Sequence, residues 1–487
     1  MLSQPSFAQL PERFYAAERL PQWPSATVLQ THAGACRDLG LDPATFASEV
    51  LSRLTGNPAS TAPTSWALAY AGHQFGHFVP TLGDGRAHLI GEWRDASGRD
   101  FDVQLKGSGR TVYSRGGDGR ATLGSVLREY LLSACFRSLG IPTTRSLAMI
   151  ATGERVVRGV GKPGAILVRA AASHVRVGSF QYYACRGDTD GVRRLADYAI
   201  ARHDPDLSGL NDQYLRFFGR VVERQARLVA HWMSVGFIHG VMNTDNMTIS
   251  GETLDYGPCA FLDHYDEAKV FSSIDQQGRY AYGNQPNVAV WNLARLAETL
   301  LPLFDAAETR AVDLAQAHLE GFRDHYRTVY LSLFGRKLGL GESRPEDAQL
   351  ITDLMHLLSE HRVDFTVFFR RLADVLQPTR GGESVSDMFA DRRAWSQWAQ
   401  RWQTRLGLEA ANDALPAERL RAVNPVYIAR NHLVETAIRA VEEEDDWAPS
   451  QQLLDAMATP YAERPDGTAL SAIPSPQDIV RQTFCGT

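Results

Sequence analysis

The sequence predicts an α+β fold in which a β-rich N-terminal half precedes a large helical C-terminal half. Two observations support this class. Residues 65–186 are rich in glycine and in short alternating apolar and polar runs, which is the pattern of a twisted sheet with glycine-containing turns. Beyond about residue 190, apolar residues recur at intervals of three and four, which is the period of helices that pack on a core.

The composition is that of an ordinary globular protein. Hydrophobic residues make up 44% of the 487 residues and charged residues 22%, and the net charge of −6 gives no general attraction to nucleic acid or anionic membrane. Five scattered cysteines without a C-x-x-C pair favour a reducing compartment. The N-terminus lacks a signal pattern, and no apolar run reaches the roughly 18 residues that span a bilayer. We therefore expect a cytoplasmic protein with neither nucleic-acid nor membrane partners.

The elements of the β-rich half follow from local patterns. Apolar and polar residues alternate strictly at 101–106, which predicts a strand whose Lys106 side chain faces a cleft. Residues 122–139 have the spacing of an amphipathic helix that stops at Gly140. After a turn at Pro142, the runs S-L-A-M-I, R-V-V-R and A-I-L-V-R-A predict three further short strands.

The helical half begins with the strongest periodic segment of the chain. Residues 211–235 carry apolar side chains at every third or fourth position, and Gly236 is the predicted stop. From Val288 onwards the composition is mostly helical, interrupted by short glycine- and proline-rich stretches.

A catalytic motif follows directly after Gly236. His239 precedes Asn246 by seven residues, and D-Y-G begins nine residues later at Asp255. Protein kinases have this spacing: the asparagine and the second aspartate hold magnesium, and an aspartate two residues after the histidine receives the acceptor's proton. Here that base position is Val241, and the nearest acid is Asp245. The motif predicts a bilobal kinase-like fold, with extra C-terminal helices, whose machinery serves a modified reaction.

Two further residues fit the kinase pattern. Lys106 lies on a predicted strand, and Glu129 follows on the predicted helix 23 residues later, as the phosphate-binding lysine and its glutamate do in kinases. A lysine and a later glutamate alone are unspecific. Together with Asn246 and Asp255 they predict a complete nucleotide and metal site.

Two glycine-rich stretches flank Lys106, L-G-D-G-R at 82–86 and S-R-G-G-D-G-R-A at 114–121. Glycines allow backbone amides to approach phosphate oxygens, and the neighbouring arginines add charged donors. Neither stretch matches a Walker loop, so a simple hairpin turn is the alternative for each. Arg169 and Arg176, at the transition to the helical half, are further candidate cations.

Other features have simpler interpretations. His73, His77 and His88 lack ligand partners at metal-binding spacing and are predicted to make structural hydrogen bonds. The acidic run at 442–446 is predicted to be a solvated helix end. Cys485, close to the C-terminus, is either a reactive thiol or incidental.

Four strings resemble the SelO (selenoprotein O, YdiU) family of pseudokinases, which are protein adenylyltransferases: G-H-Q-F-G-H-F, Q-L-K-G-S-G-R-T-V-Y-S-R-G-G-D-G-R-A, H-G-V-M-N-T-D-N-M and D-Y-G-P. The resemblance runs from about residue 65 to 287, with a weaker match in N-P-V-Y-I-A-R-N at 424–431. It implies an N-terminal extension at 1–64, a nucleotide-binding N-lobe at 65–186 and a helical C-lobe at 187–487.

The resemblance also implies the chemistry. ATP binds in an orientation inverted relative to kinases, so AMP is transferred and pyrophosphate leaves. Asp245 is implied to be the proton acceptor, and Asn246 and Asp255 to bind Mg²⁺ or Mn²⁺. Asp255 also contacts the nucleotide through the metal, and Glu129 holds Lys106. The remaining implied nucleotide-binding residues are Gly83, Gly85, Arg86, Lys106, Asp118, Gly119, Arg169 and Arg176.

The implied acceptors are Ser, Thr or Tyr hydroxyls of proteins, possible redox-related partners among them, and self-modification is expected. The family's redox link, through a residue near the C-terminus, implies a pairing of Cys485 with Cys259. Three alternatives stay open at this point: uridylyl transfer from UTP, conventional γ-phosphate transfer, and a non-catalytic nucleotide-binding scaffold.

Overall fold

The computed structural model describes residues 2–56, 64–378, 384–409 and 415–484. Its strands are concentrated in the N-terminal half: β1 Tyr15–Arg19, β2 Thr27–Thr31, β3 Thr64–Leu68, β4 Gly72–Gln74, β5 His77–Val79, β6 Ala87–Arg94, β7 Asp100–Lys106, β8 Ala121–Thr122, β9 Arg145–Arg158, β10 Val160–Ala171, β11 Phe237–Ile238 and β12 Ala260–Phe261.

An eight-stranded antiparallel sheet forms the centre of this half. Its order is β1-β3-β6-β7-β10-β9-β2, with β8 paired to β10. Two small antiparallel pairs, β4–β5 and β11–β12, lie apart from it. The predicted strand at 101–106 is confirmed as β7, which pairs with β6 and β10 and ends at Lys106.

The helices follow mainly in the C-terminal half: α1 Ala33–Asp38, α2 Pro43–Thr55, α3 Leu123–Leu139, α4 Val177–Ala184, α5 Thr189–His203, α6 Gln213–Ser234, α7 Gln285–Phe304, α8 Glu308–Lys337, α9 Asp347–Glu360, α10 Phe365–Leu376, α11 Arg392–Leu406, α12 Pro416–Val423, α13 Asn431–Glu444, α14 Ala448–Ala458 and α15 Thr468–Ser471. The predicted α+β class, with an antiparallel sheet followed by many helices, is confirmed. No helix in the described ranges combines the length and hydropathy of a membrane span.

The sheet separates two apolar cores. Phe101, Val103 and Leu105 of β7 point into the smaller core, which α1 and α2 cover. The opposite face of the sheet packs on α3 and joins the larger core, which continues through the helical half. The alternation along β7 therefore sends Lys106 and Gln104 towards α3, because successive strand side chains point to opposite faces.

The helix predicted at 122–139 is confirmed as α3, with Thr122 as its N-cap and Gly140 at a φ of 72° as its stop. The prediction that it is amphipathic is wrong. Residues 123–136 are buried except for half-exposed Ser125, because α13 and α14 cover the side that faces away from the sheet. The helix that carries Glu129 is therefore held on all sides.

The predicted three short strands between residues 146 and 170 are also a misreading. The segment forms two long strands, β9 and β10, joined at Gly159. The polar stretch around Gly153 does not end β9, and a register shift near Pro163 absorbs the irregularity. In the helical half, the prediction at 211–235 is confirmed as α6, and Gly236 follows it at a φ of 72°.

Candidate active site

A cleft of about 460 Å³ lies between the sheet and residues 239–246, which we call the catalytic loop after its kinase-like motif. Its lining includes every residue predicted for the site except Glu129: Gly83, Gly85, Arg86, Lys106, Asp118, Gly119, Arg169, Arg176, Asp245, Asn246 and Asp255. These residues come from five separate stretches of the chain, so the fold brings together what the sequence leaves apart.

Lys106 lies on one wall of the cleft, at the centre of a cluster of charged residues that also contains Glu129, Arg169 and Asp255. Its Nζ lies 2.5 Å from Glu129 Oε2 and 3.1 Å from Asp255 Oδ1. Arg169 approaches the other oxygen of Glu129, with Nη1 at 2.9 Å from Oε1. The predicted pairing of Lys106 with Glu129 is present, and it orients the ammonium group towards the D-Y-G aspartate.

Opposing effects set the ionisation of this cluster. Burial by itself raises the pKa of Glu129, but the charges of Lys106 and Arg169 outweigh it and lower the pKa below its usual value. Burial likewise disfavours ionised Asp255, and Lys106 and Arg86 overcome it, so its pKa also falls. Both carboxylates are therefore ionised at neutral pH, the state in which they form ion pairs with Lys106.

A second buried network extends the wall and was not predicted from the sequence. Asp84 accepts hydrogen bonds from Gln104 at 2.9 Å and from Arg176 at 3.3 Å, and Gln104 in turn accepts from Arg169 at 2.6 Å. Arg176 also lies over the ring of Tyr70, 4.3 Å from its centroid. Asp84 was detectable as the acid within L-G-D-G-R, and Gln104 as the residue that shares a strand face with Lys106.

The glycine-rich stretches form tight loops on the rim of the cleft. Gly83 and Gly119 have φ angles of 65° and 67°, a region that side chains with a Cβ rarely occupy. A Cβ on Gly85 would lie 2.7 Å from the carbonyl oxygen of Tyr113, so the two loops touch through backbone. Glycine is thus required where these loops approach each other.

Asp118 faces a cation that the sequence reading missed. Arg158, at the end of β9, places both terminal nitrogens 2.8 Å from the Asp118 carboxylate, and both residues line the cleft. This bidentate contact lowers the pKa of Asp118 to about 2. Arg158 was hard to predict because it is the last residue of β9, and β9 extends this far only through its pairing with β10.

The catalytic loop places Asp245 in a single turn of 3-10 helix, Thr244–Asn246. His239 is buried, and its Nε2 lies 2.9 Å from the carbonyl oxygen of Leu254, which joins the loop to the segment before Asp255. Asn246 donates its amide to the carbonyl of Val241 at 3.1 Å. Val241, at the kinase-type base position, has an apolar side chain that cannot take a proton, and its backbone carbonyl accepts the hydrogen bond that joins it to Asn246.

Asp245 is an unusually placed carboxylate. The residue is 7% exposed, its Oδ2 accepts a 3.3 Å hydrogen bond from Gln74, and its Oδ1 has no hydrogen-bond partner in the part of the chain that the structure describes. Burial raises its pKa to about 6, with Arg176 opposing the shift. Such a group is ionised at neutral pH yet basic enough to take a proton.

The donor set near the loop suits a hard divalent cation. Asp255 offers carboxylate oxygens to the cleft, and the amide nitrogen of Asn246 is engaged with Val241, so its oxygen is the free ligand atom. Carboxylate and amide oxygens are the ligands that Mg²⁺ and Mn²⁺ prefer. No group of three or more His, Cys, Asp or Glu side chains that could hold a metal ion occurs within the described ranges.

The other sequence predictions have mixed outcomes. His73 accepts from Gln181 at 2.8 Å and His88 lies 2.7 Å from Ser108 Oγ, as expected of structural histidines, while His77 is exposed. Glu442 is not solvated: its side chain is 7% exposed, accepts from the backbone of Gly124 at 2.8 Å and pairs with Lys162 at 2.7 Å. Only the four residues after it are exposed.

Of the two cysteines in the predicted pairing, the structure describes Cys259. Cys485 lies outside the described residues. Cys259 is a buried thiol whose pKa burial raises to about 12.

Comparison with known proteins agrees with the motifs. The family model described as protein adenylyltransferase SelO matches residues 2–458. Three relatives named protein nucleotidyltransferase YdiU are similar over 99% of this chain: that of Cereibacter sphaeroides strain KD131 is 52% identical over 98% of its length, that of Rhodopseudomonas palustris strain BisB5 50% over 98%, and that of Nitrobacter winogradskyi 49% over 95%. Because the family model covers nearly the whole chain, this protein belongs to the SelO family of protein adenylyltransferases.

Proposed function

We propose that this chain transfers AMP from ATP to Ser, Thr or Tyr hydroxyls of proteins and releases pyrophosphate. The observation that carries the proposal is the position of Asp245, a buried carboxylate of raised pKa in the same cleft as Lys106 and Asp255. A nucleotidyl transfer needs a proton acceptor, cations around the phosphates and a metal site within one enclosed space. Family membership supports the same reaction.

The binding residues have distinct roles in this proposal. Buried Arg169 and Arg176, together with Lys106 and Arg86, give the cleft a fixed positive charge for the triphosphate. The glycine loops at 82–86 and 114–121 offer backbone amides, and Asp118 keeps Arg158 on the rim. Glu129 does not line this cleft; it acts by holding Lys106 and Arg169.

The transfer step follows from the residues present. The acceptor hydroxyl oxygen forms a bond to the α-phosphorus, the bond from that phosphorus to the bridging oxygen of the β-phosphate breaks, and pyrophosphate leaves. The hydroxyl proton passes to Asp245, which is ionised above about pH 6. Mg²⁺ or Mn²⁺, held by Asn246 and Asp255, would neutralise charge on the phosphate oxygens.

The architecture also belongs to the proposal. We assign residues 65–186 as a nucleotide-binding N-lobe and 187–487 as a helical C-lobe of a kinase-like body, with 1–64 as an extension. The pairing of Lys106 with Glu129, and the contact of His239 with the segment before Asp255, support a kinase-like arrangement. The strands β1 and β2 join the main sheet, which supports an extension that packs on the N-lobe.

Labelled nucleotides test the reaction. Label on the α-phosphate of ATP should appear on the protein itself and on acceptors, whereas label on the γ-phosphate should not. Transfer of the γ-label would indicate conventional kinase activity instead. Transfer of neither label would indicate a non-catalytic scaffold role. Competition between ATP and UTP in the same assay decides which nucleotide is used, and we expect ATP to be preferred.

A further inference from the structure

The G-H-Q-F-G-H-F motif forms the β4–β5 hairpin beside the proposed base. Gln74 donates to Asp245 Oδ2 at 3.3 Å, and the backbone N–H of Phe75 donates to Asn243 Oδ1 at 3.1 Å. The tip of this hairpin is therefore fixed against the catalytic loop. Any acceptor hydroxyl that reaches Asp245 arrives close to this tip.

Arg279 lies at the same tip, on the segment that follows D-Y-G. A Cβ atom on Gly76 would lie 3.7 Å from its guanidinium carbon, and that carbon lies 4.5 Å from the centroid of the Trp291 ring. The next residue, Tyr280, packs its ring on Phe75 at 5.1 Å. The guanidinium group therefore packs on the face of the Trp291 ring and lies close to Gly76.

No acidic side chain forms an ion pair with Arg279 within the described ranges, and its buried Nε has no hydrogen-bond partner there. Arg295, whose Nε likewise has no hydrogen-bond partner within the described ranges, differs from Arg279 in having an acidic partner. It lies over the same Trp291 ring, at 5.0 Å, but its Nη2 contacts Glu298 Oε1 at 2.6 Å. Two arginines therefore share one aromatic platform, and the structure supplies an acid to one of them.

The nearby carboxylate of Asp275 accepts a hydrogen bond from the backbone N–H of Arg279 at 3.0 Å, but no carboxylate in the described ranges forms an ion pair with the guanidinium group. Burial lowers the pKa of His73, and the positive charges of Arg295 and Arg279 add to that shift, so its ring is neutral at neutral pH. Phe78, which packs on His73 at 4.8 Å, is 40% exposed and extends the surface with an apolar side chain. The surface beside the hairpin tip is cationic and aromatic.

We propose that Arg279 is a docking cation for the acceptor protein, binding an Asp or Glu side chain that lies near the hydroxyl to be modified. This inference rests on the proposed function, because it concerns the acceptor of that reaction. A guanidinium group already oriented by stacking loses little side-chain entropy when it pairs with a carboxylate. Partial removal from water strengthens such a pair relative to one on an open surface.

A peptide library tests the docking role. Peptides with one central Ser, Thr or Tyr and varied flanking residues are incubated with the full chain and ATP labelled on the α-phosphate. We expect labelled peptides to be enriched in Asp and Glu at one or more flanking positions by about twofold to fivefold, the range of a partly exposed ion pair. Arg279→Gln should abolish this preference, and Arg279→Glu should reverse it towards Lys and Arg.

Arg295→Gln is the matched control, because Arg295 lies over the same Trp291 ring but is already paired with Glu298. This variant should retain the preference for peptides with Asp and Glu. Self-labelling and the thermal transition, measured in parallel for each variant, separate a docking effect from loss of the reaction or of the fold. The docking role is overturned if wild-type protein shows no acidic preference, if Arg279→Gln retains it, or if peptides stay unlabelled while self-labelling proceeds. Failure of self-labelling in wild-type protein would instead overturn the proposed function.

Discussion

Replacing Asp245 by asparagine should remove activity and at the same time make the protein more stable. The residue is 7% exposed and its Oδ1 lacks a hydrogen-bond partner within the described ranges, so the folded protein holds a poorly compensated negative charge. Asparagine keeps the shape and an acceptor oxygen for Gln74 without the charge. The buried charge is therefore a stability cost that the proposed reaction requires.

The size of the effect follows from the pKa. Burial raises the pKa of Asp245 from 3.8 to about 6. A difference of about 2 pKa units corresponds to roughly 3 kcal/mol of unfolding free energy once the group is ionised in both states. The pH dependence is that of a carboxylate whose pKa is higher in the folded state than in the unfolded state. Below the unfolded pKa the protonated Asp245 has no destabilising effect, and the free energy of unfolding decreases as the pH rises from there through about 6. The variant should therefore gain most at about pH 8, about half as much at about pH 5, and almost nothing below about pH 4.

A thermal unfolding series checks this. An unfolding entropy of roughly 2 cal/mol/K per residue gives about 1 kcal/mol/K for the 487 residues if the chain unfolds in one transition, so Asp245→Asn should raise the Tm by about 3 °C at about pH 8. The series is run in chelator, so that metal binding does not contribute. Asp324→Asn, at an exposed position on α8, is the control. A variant with the wild-type Tm at every pH would refute the buried-charge argument, and one with undiminished AMP transfer would refute the base assignment.

Three further outcomes follow from the site. Glu129→Gln leaves Lys106 and Arg169 without their shared carboxylate, so the KM for ATP should rise at least tenfold and the free energy of unfolding should fall by about 3 kcal/mol, measured by kinetics and denaturant titration. Chelation of divalent metal should stop transfer; Mg²⁺ or Mn²⁺ should restore it in wild-type protein but not in Asp255→Ala, as label incorporation would show. Gly85→Ala places a Cβ 2.7 Å from a backbone oxygen and should weaken nucleotide binding in calorimetry, whereas Gly321→Ala, within α8 and with no atom closer than 3.9 Å to the added Cβ, should leave it unchanged.

The local elements were predictable where periodicity and stop signals agreed. The strand that ends at Lys106 and the helix that ends before Gly236 were both read correctly, since alternation and helical spacing are properties of short segments. The long hairpin of β9 and β10 was not, because its polar residues remain in strand through pairing across the hairpin. The burial of α3 depends on α13, more than 300 residues away, and no local pattern records it.

The site was predictable to the extent that it repeats a known motif. Spacing predicted Lys106, Asn246 and Asp255, and the valine at the usual base position, Val241, drew attention to Asp245. Asp84, Gln104 and Arg158 were missed because their importance comes from partners that lie 20 or more residues away in the sequence. The same limit explains Glu442, whose run of neighbouring acids resembles a solvated surface although its own side chain contacts the start of α3.

The most direct test of the proposed reaction is the mass of the intact protein after incubation with ATP and divalent metal, compared with Asp245→Asn. Transfer of the α-phosphoryl group predicts a gain of roughly 329 Da per modified hydroxyl in the wild-type protein and none in the variant. A gain of roughly 80 Da would mean that the γ-phosphate is transferred instead, and an equal AMP gain in both proteins would contradict the role of Asp245.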